Sequence, residues 1–332
     1  MLVSDKNEAD SQAKLLKLIN SQPIPAIAAP MFLVSTPELV IASARAGIIG
    51  GYPAPNSRTI KELEGNLETI AEALSAQNND GRSLPWLLNM IVHSTYTRFD
   101  DELALVERYQ PAVVTTALGS PRRVLPTVHG YGGLVLSDVI SPSMAKKAVD
   151  AGVDGLILVC AGAGGHTGKY SPFPFIAEVR EFWDGPVGMA GGVSNGADIL
   201  AAQALGFDFV LIGTRFIAAQ ESMASDDYRQ MLLASRMEDI VASKSVSGVM
   251  ANWLAASLEQ AGLDEAVKNS EPGIDFSGNI AADNKAWKHI WSAGHGVGQI
   301  KNLPTAVELI HELSANYDKS IMRFQERLRS NS

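Results

Sequence analysis

The chain has 332 residues, 46% apolar and 19% charged, a balance that supports a large buried core and excludes intrinsic disorder. Lys and Arg total 27 against 36 Asp and Glu, and a net charge of −9 without any basic cluster excludes a nucleic-acid binder. The single cysteine, Cys160, excludes a disulfide framework and a cysteine-built zinc cage.

The opening segment, residues 1–10, carries acidic residues and no apolar core, so it reads as neither a secretory signal nor a transit peptide. No apolar run approaches the roughly 18 residues of a membrane helix, and a protein of the cytoplasm with no membrane partner is expected. Eight short apolar runs follow: 24–32, 48–53, 86–92, 112–119, 134–140, 155–160, 187–193 and 209–216. They are continuously apolar rather than alternating, as parallel strands buried on both faces are. Their mean spacing of about 26 residues accommodates one strand, one helix and two short loops.

The helices between these runs carry recognisable starts and stops. Pro37 follows Ser35-Thr36 at a first-turn position, and Gly47 ends that helix. Ser141-Pro142 opens another, closed by Ala151-Gly152, and Ser194-Asn195 opens a third, closed by Leu205-Gly206. Eight such units indicate an α/β fold of the TIM (β/α)8 barrel type, with a doubly wound open sheet as the alternative. Beyond residue 216, 226–241 and 245–262 read as helices, 269–285 as a loop and 304–329 as a long amphipathic helix. The expected organisation is a barrel core over 1–220, an additional helical subdomain and loop over 221–300, and a closing barrel helix over 301–332.

The 29 glycines gather at the carboxyl ends of strands, the face on which barrels carry their chemistry. Gly162, Gly164, Gly165 and Gly168 follow the sixth strand, Gly191-Gly192 the seventh and Gly213-Thr214 the eighth. Such loops let backbone N–H groups approach a ligand, and paired after the last two strands they form the usual barrel phosphate site. The plainer reading is that they only make tight turns. A dinucleotide fingerprint fails on spacing, since Gly162-x-Gly164 runs into Pro172 and Pro174 instead of opening a helix at once.

His166, in the glycine-rich loop after a buried strand, is placed and typed for proton abstraction. The plainer reading is a loop histidine bonded to backbone. His93 is the next best placed, whereas His129, His289, His295 and His311 form no ligand pattern, so no metal is expected.

With these motifs in order, the chain resembles the nitronate monooxygenase family, formerly 2-nitropropane dioxygenases. Ala29-Pro30-Met31 with Val34-Ser35-Thr36-Pro37 resembles the family's opening, and Ala163-Gly164-Gly165-His166-Thr167-Gly168 its catalytic-histidine motif. Ala190-Gly191-Gly192-Val193, continuing to Gly213-Thr214-Arg215-Phe216, resembles its phosphate-binding stretch, and Ile290-Trp291-Ser292-Ala293-Gly294 its C-terminal signature near the flavin. The resemblance implies non-covalent FMN, with its phosphate at Gly191, Gly192, Gly213 and Thr214 and its ring lined by Ala29, Pro30, Met31 and Asn89. It also implies Ala190 and Ser292 beside the cofactor and His166 as the base toward a nitroalkane or its nitronate. The small-molecule substrate would react with O2 to give a carbonyl compound and nitrite. Related FMN enzymes that reduce enoyl thioesters or quinones with NAD(P)H share these motifs and remain the alternative activity, and a flavin- or phosphate-binding barrel without turnover is the non-enzymatic one. Assembly is open, a homodimer being one of the states allowed.

The chain departs from the family pattern at Phe32, Leu33 and Ile48, where small residues are usual, and along residues 169–175. Asp138, an acid at the end of the fifth strand where flavin contacts are expected, has no assigned role.

Overall fold

The computed structural model describes residues 2–75, 83–263 and 290–330. Eight parallel strands close into a barrel: β1 (Ala26–Ala28), β2 (Ile49–Pro53), β3 (Trp86–Ile91), β4 (Val113–Ala117), β5 (Leu134–Val139), β6 (Gly155–Val159), β8 (Val187–Ala190) and β9 (Phe209–Ile212). Closure is made by β1, whose Ile27 registers with Ile49 on one side and Leu211 on the other. Every strand lies within one of the apolar runs of the sequence, because a strand covered by neighbours and helices on both faces has no solvent side to make polar.

Ile27, Ile49, Leu87, Val113, Leu134, Leu136, Ile157, Phe209 and Leu211 fill the barrel interior. Leu15 and Ile19 join the same cluster from α1 (Leu2–Asn20), a helix that the sequence reading did not anticipate. Both residues are fully buried, so the helix plugs the end of the barrel opposite the strands' carboxyl ends. A second, larger cluster lies between the strands and the surrounding helices.

The helix signals act as expected. Thr36 caps α2 (Pro37–Arg45) by accepting from Leu39 N at 3.0 Å, and Ser141 caps α6 (Pro142–Val149) by accepting from Met144 N at 3.3 Å. Gly47, Gly152 and Gly206 all have φ between 95° and 100°, the left-handed stop that the repeated helix–Gly–strand pattern requires. Prolines 172 and 174 occupy the first turn of α7 (Pro172–Arg180), where a missing N–H costs nothing.

After the eighth barrel strand the structure departs from the sequence reading in two places. The helix expected over 226–241 is α10 (Asp226–Ala234) only; the chain then forms a 3-10 turn and strand β10 (Ile240–Ser243). The helix expected over 245–262 begins instead as strand β11 (Ala251–Leu254), followed by the short α11 (Ala255–Gln260). β10 and β11 pair antiparallel from Ile240–Leu254 to Ser243–Ala251, and β11 also pairs with the two-residue β7 (Gly165–His166). A distant partner strand decides such short apolar runs, and periodicity cannot separate them from helix. The loop expected over 269–285, with His289, lies outside the described residues. α12 (Ala306–Ser330) matches the expected closing helix and buries Leu309, Ile310 and Leu313 against α2 and α8 (Gly196–Ala204).

Candidate active site

At the carboxyl ends of the strands, the loop after β1 is set by hydrogen bonds rather than by packing alone. Ala29 N donates to Ile212 O at 2.9 Å, and Met31 N donates to Ser35 Oγ at 3.0 Å. Asn56, a buried side chain from the turn after β2, accepts from Leu33 N at 2.7 Å and donates to Ser35 O at 2.7 Å. Those contacts hold Leu33 at a left-handed φ of 54°. Pro30 packs against Gly51, where a Cβ would stand 2.8 Å from its ring.

Gly213 abuts this loop: a Cβ there would lie 3.5 Å from Met31 Sδ and 3.7 Å from Ala29 Cβ. The neighbouring Thr214 accepts from Gly294 N through Oγ1 at 2.9 Å, which draws the C-terminal signature into the mouth of the barrel. Gly294 in turn sits against the loop after β6, its missing Cβ 2.9 Å from Gly164 N. His295 N donates to Gly162 O at 3.0 Å, so this histidine, without a role in the sequence reading, borders the same loop. Ser292 reaches the wall through its backbone: its carbonyl accepts from the Tyr228 hydroxyl, and Trp291 stacks on Tyr228 with ring centroids 5.0 Å apart.

Gly191 has a φ of 122°, and a Cβ on it would stand 2.9 Å from Ala163 N and 3.0 Å from Cys160 O. Gly192, at φ 77°, faces open space. Among the described residues no group accepts from the N–H of Gly191, Gly192, Gly213 or Thr214. The start of α8 differs. Its capping box spends the N–H groups of Ser194 and Asn195 on the Asp198 carboxylate and those of Ala197 and Asp198 on Asn195 Oδ1. Donors for an anion therefore come from the glycines and Thr214, while the first turn of α8 already holds a carboxylate.

His166 lies on β7, opposite Ala251 of β11. Its loop is pinned from both ends: Thr167 Oγ1 donates to Cys160 O at 3.1 Å and Asn252 Nδ2 donates to Ala163 O at 2.8 Å. The imidazole is open to solvent but surrounded by protein mass, and desolvation pushes its pKa down to about 4, so the ring is neutral at pH 7.

The floor of the mouth is made by inward-facing strand ends. On β3, Asn89 follows the buried Leu87 by two residues and donates through Nδ2 to Thr115 Oγ1 of β4 at 2.9 Å. On β5, Leu134, Leu136 and Asp138 alternate inward in the same way. Burial raises the Asp138 pKa to about 7, and its Oδ1 is buried without a hydrogen-bond partner. Ala190, at the end of β8, packs on the interior cluster from the same level.

A perturbed carboxyl and a perturbed imidazole also lie outside the mouth. Glu102 of α4 (Phe99–Tyr109) is fully buried and raised to about 7 by desolvation, and it accepts from the Tyr96 hydroxyl at 2.6 Å. It pairs with Arg98, which donates to Ser57 O at 2.7 Å, so this trio ties the loops after β2 and β3 together. His129 pairs with Asp154 at 2.9 Å. Among the described residues, no three His, Cys, Asp or Glu side chains gather as a metal site would require, and no helix is long and apolar enough to cross a membrane.

The structure thus brings the glycines, the loop after β1, Asn89 and His166 of the sequence reading to one end of the barrel. Asn56 and Asn252, which hold the loops carrying Met31 and His166, escaped that reading because they act on backbone groups far away along the chain.

Comparison with known proteins matches residues 12–316 to the family described as nitronate monooxygenase. A protein of Paraburkholderia phytofirmans called nitronate monooxygenase is 27% identical, over 91% of this chain and 94% of that protein. A Rhodococcus jostii protein called (3aS,4S,5R,7aS)-5-hydroxy-7a-methyl-1-oxo-octahydro-1H-indene-4-carboxyl-CoA dehydrogenase is 29% identical, over 90% and 93%. The solved structure of nitroalkane oxidase from Streptomyces ansochromogenes superposes with a TM-score of 0.78 at 23% identity, covering 92% of this chain and 99% of that one.

Proposed function

Because the chain belongs to the nitronate monooxygenase family, a family of oxidoreductases that is flavin-dependent in general, we propose that it uses FMN and O2 to oxidise nitronates to carbonyl compounds and nitrite. The observation that carries this reading is a neutral, solvent-open His166 on the same barrel mouth as four backbone N–H groups without acceptors. Those N–H groups, on Gly191, Gly192, Gly213 and Thr214, fit the phosphate of FMN, since an anion there meets donors and no carboxylate of the α8 cap is needed. Ala29, Pro30, Met31, Asn89 and Ala190 offer an apolar bed with one carboxamide to a flat heteroaromatic ring. Ser292 stands in the wall beside them.

When bound, FMN supplies the electron acceptance and oxygen chemistry that no side chain can. The chain's own work is acid–base and positional. His166 accepts the α-proton of a neutral nitroalkane at a ring nitrogen, or hydrogen-bonds the nitronate when that anion is supplied directly. Its lowered pKa keeps the accepting form fully populated, and the nitronate formed beside the imidazolium stabilises the charged ring. Asn252 and Thr167 hold the loop so that the ring meets the substrate in one orientation.

A second reading is an NAD(P)H-dependent FMN reductase of enoyl thioesters or quinones; the Rhodococcus relative, called a carboxyl-CoA dehydrogenase, supports only the thioester class of substrate. Anaerobic stopped-flow separates the two. Rapid loss of flavin absorption on mixing with a nitronate, and none with NADH or NADPH, is the expected result. Rapid loss with a reduced nicotinamide and none with nitronates would overturn the first reading.

A further inference from the structure

Among the described residues Asp138 is the one charged-type residue on the inner face of the barrel floor, and the chemistry just described leaves it without a task. It follows Leu134 and Leu136 inward along β5, at the carboxyl end of the barrel. Ile157 of β6 stands opposite it in register, and Ala117 of β4 flanks it, since Thr116 pairs with Ser137. Both are apolar. Behind the strand, His129 is paired with Asp154 and Lys146 with Asp150, while Lys147 is exposed on the outer surface of α6. His166, the titratable group that the loop after β6 brings to the mouth, is neutral well below pH 6 and stays so above it. One carboxyl oxygen of Asp138 is therefore buried, aimed into the mouth and partnerless among the described residues.

A buried carboxyl with an unmet hydrogen bond is destabilising, a cost sustained where a ligand completes the bond. The occupant is decided by depth. Asp138 sits on a strand, level with Asn89 and Ala190, whereas His166 sits on a loop above. The group seated on strand ends is the one that the floor must satisfy. Resting on the FMN reading above, we propose that Asp138 acts as a neutral carboxylic acid that hydrogen-bonds the ring of the bound flavin, so that flavin affinity follows the protonation of this one side chain.

The direction follows from linkage. The neutral acid can donate to a ring carbonyl or nitrogen. The carboxylate cannot, and it also adds repulsion to a ligand that carries a phosphate dianion. Affinity is then flat while Asp138 is protonated and falls as it ionises, near and above pH 7.

The test is equilibrium titration of the full chain, stripped of flavin, with FMN at pH 6 and pH 8.5, read by flavin fluorescence. Wild type is compared with Asp138→Asn, which stays neutral, and Asp138→Ala, which loses the contact. The phosphate's own second ionisation near pH 6 is common to all three proteins, so the ratio between proteins is the readout. At pH 6, Asp138→Asn is expected within about threefold of wild type; at pH 8.5 it is expected to bind about tenfold more tightly than wild type. Asp138→Ala is expected to bind about fivefold more weakly than Asp138→Asn at both values. An Asn-to-wild-type ratio that does not change with pH, or an Ala variant equal to the Asn variant, would overturn the assignment while leaving the cofactor reading intact. No FMN binding by wild type at either pH would overturn both.

Discussion

Replacing Gly191 by Ala asks how much of the mouth depends on one missing side chain. At φ 122° an L-residue is strained by about 1–3 kcal/mol. The added Cβ would also sit 2.9 Å from Ala163 N and 3.0 Å from Cys160 O, both backbone atoms and both closer than ordinary contact. Relieving that overlap moves the loop after β6 and costs a further ~1–3 kcal/mol. The sum, about 2–6 kcal/mol, corresponds to a Tm lower by about 4–24 °C at roughly 2–4 °C per kcal/mol. Gly192→Ala is the matched control, because φ 77° strains an Ala by only about 1–2 kcal/mol and nothing lies within 4 Å of its Cβ. Circular-dichroism melts of both variants, with flavin removed, are the assay. Gly191→Ala should melt well below Gly192→Ala, and should also lose turnover because Ala163 leads directly into the His166 loop. Equal melting temperatures, or the reverse order, would refute the reasoning from close approach.

Other outcomes follow from the same geometry. His166→Asn should lower kcat on neutral nitroalkanes by about 10²-fold or more, while turnover of preformed nitronates falls much less, as steady-state rates on both substrate forms will show. Asn252→Ala frees the Ala163 carbonyl and should reduce kcat by about tenfold with FMN affinity unchanged, checked by kinetics beside a flavin titration. Leu15→Ala, which empties part of the barrel plug, should cost about 2–5 kcal/mol in denaturant unfolding and leave the flavin spectrum unaltered. Because burial raises Asp138 above its ordinary range to about 7, the folded protein binds a proton that the unfolded chain releases near pH 4. Stability from this group is thus present at low pH and lost as pH rises toward 7, and the Tm advantage of Asp138→Asn over wild type should widen between pH 5 and pH 8.

The barrel was legible because strands buried on both faces leave continuous apolar runs that no loop or amphipathic helix imitates at a regular spacing. The glycine stops at 47, 152 and 206 were legible for a similar reason, since a left-handed residue after a helix narrows the choice almost to Gly. What stayed hidden depends on partners distant in the chain. α1 is polar along most of its length and betrays its role only through Leu15 and Ile19, one turn apart, meeting a barrel that does not yet exist in the sequence. β10 and β11 look helical in isolation and become strands only because each offers the other an edge. In the site, His166 and the glycines announce themselves by residue type. Asn56 and Asn252 do not, because a buried asparagine bonded to loop carbonyls 21 and 89 residues away leaves no local pattern. Asp138 was visible as an acid out of place, but only the alternation of β5 shows that it points into the barrel.

In the proposed cofactor site four backbone N–H groups, at Gly191, Gly192, Gly213 and Thr214, would hold the phosphate of a flavin. Comparing FMN with riboflavin, which differs only by that phosphate, measures this directly. Two or more charge-assisted hydrogen bonds at about 1.5–3 kcal/mol each correspond to at least about 10²-fold in affinity. Titration of the flavin-free chain should therefore give a Kd for FMN lower than that for riboflavin by that factor; equal affinities, or no binding of either, would contradict the account.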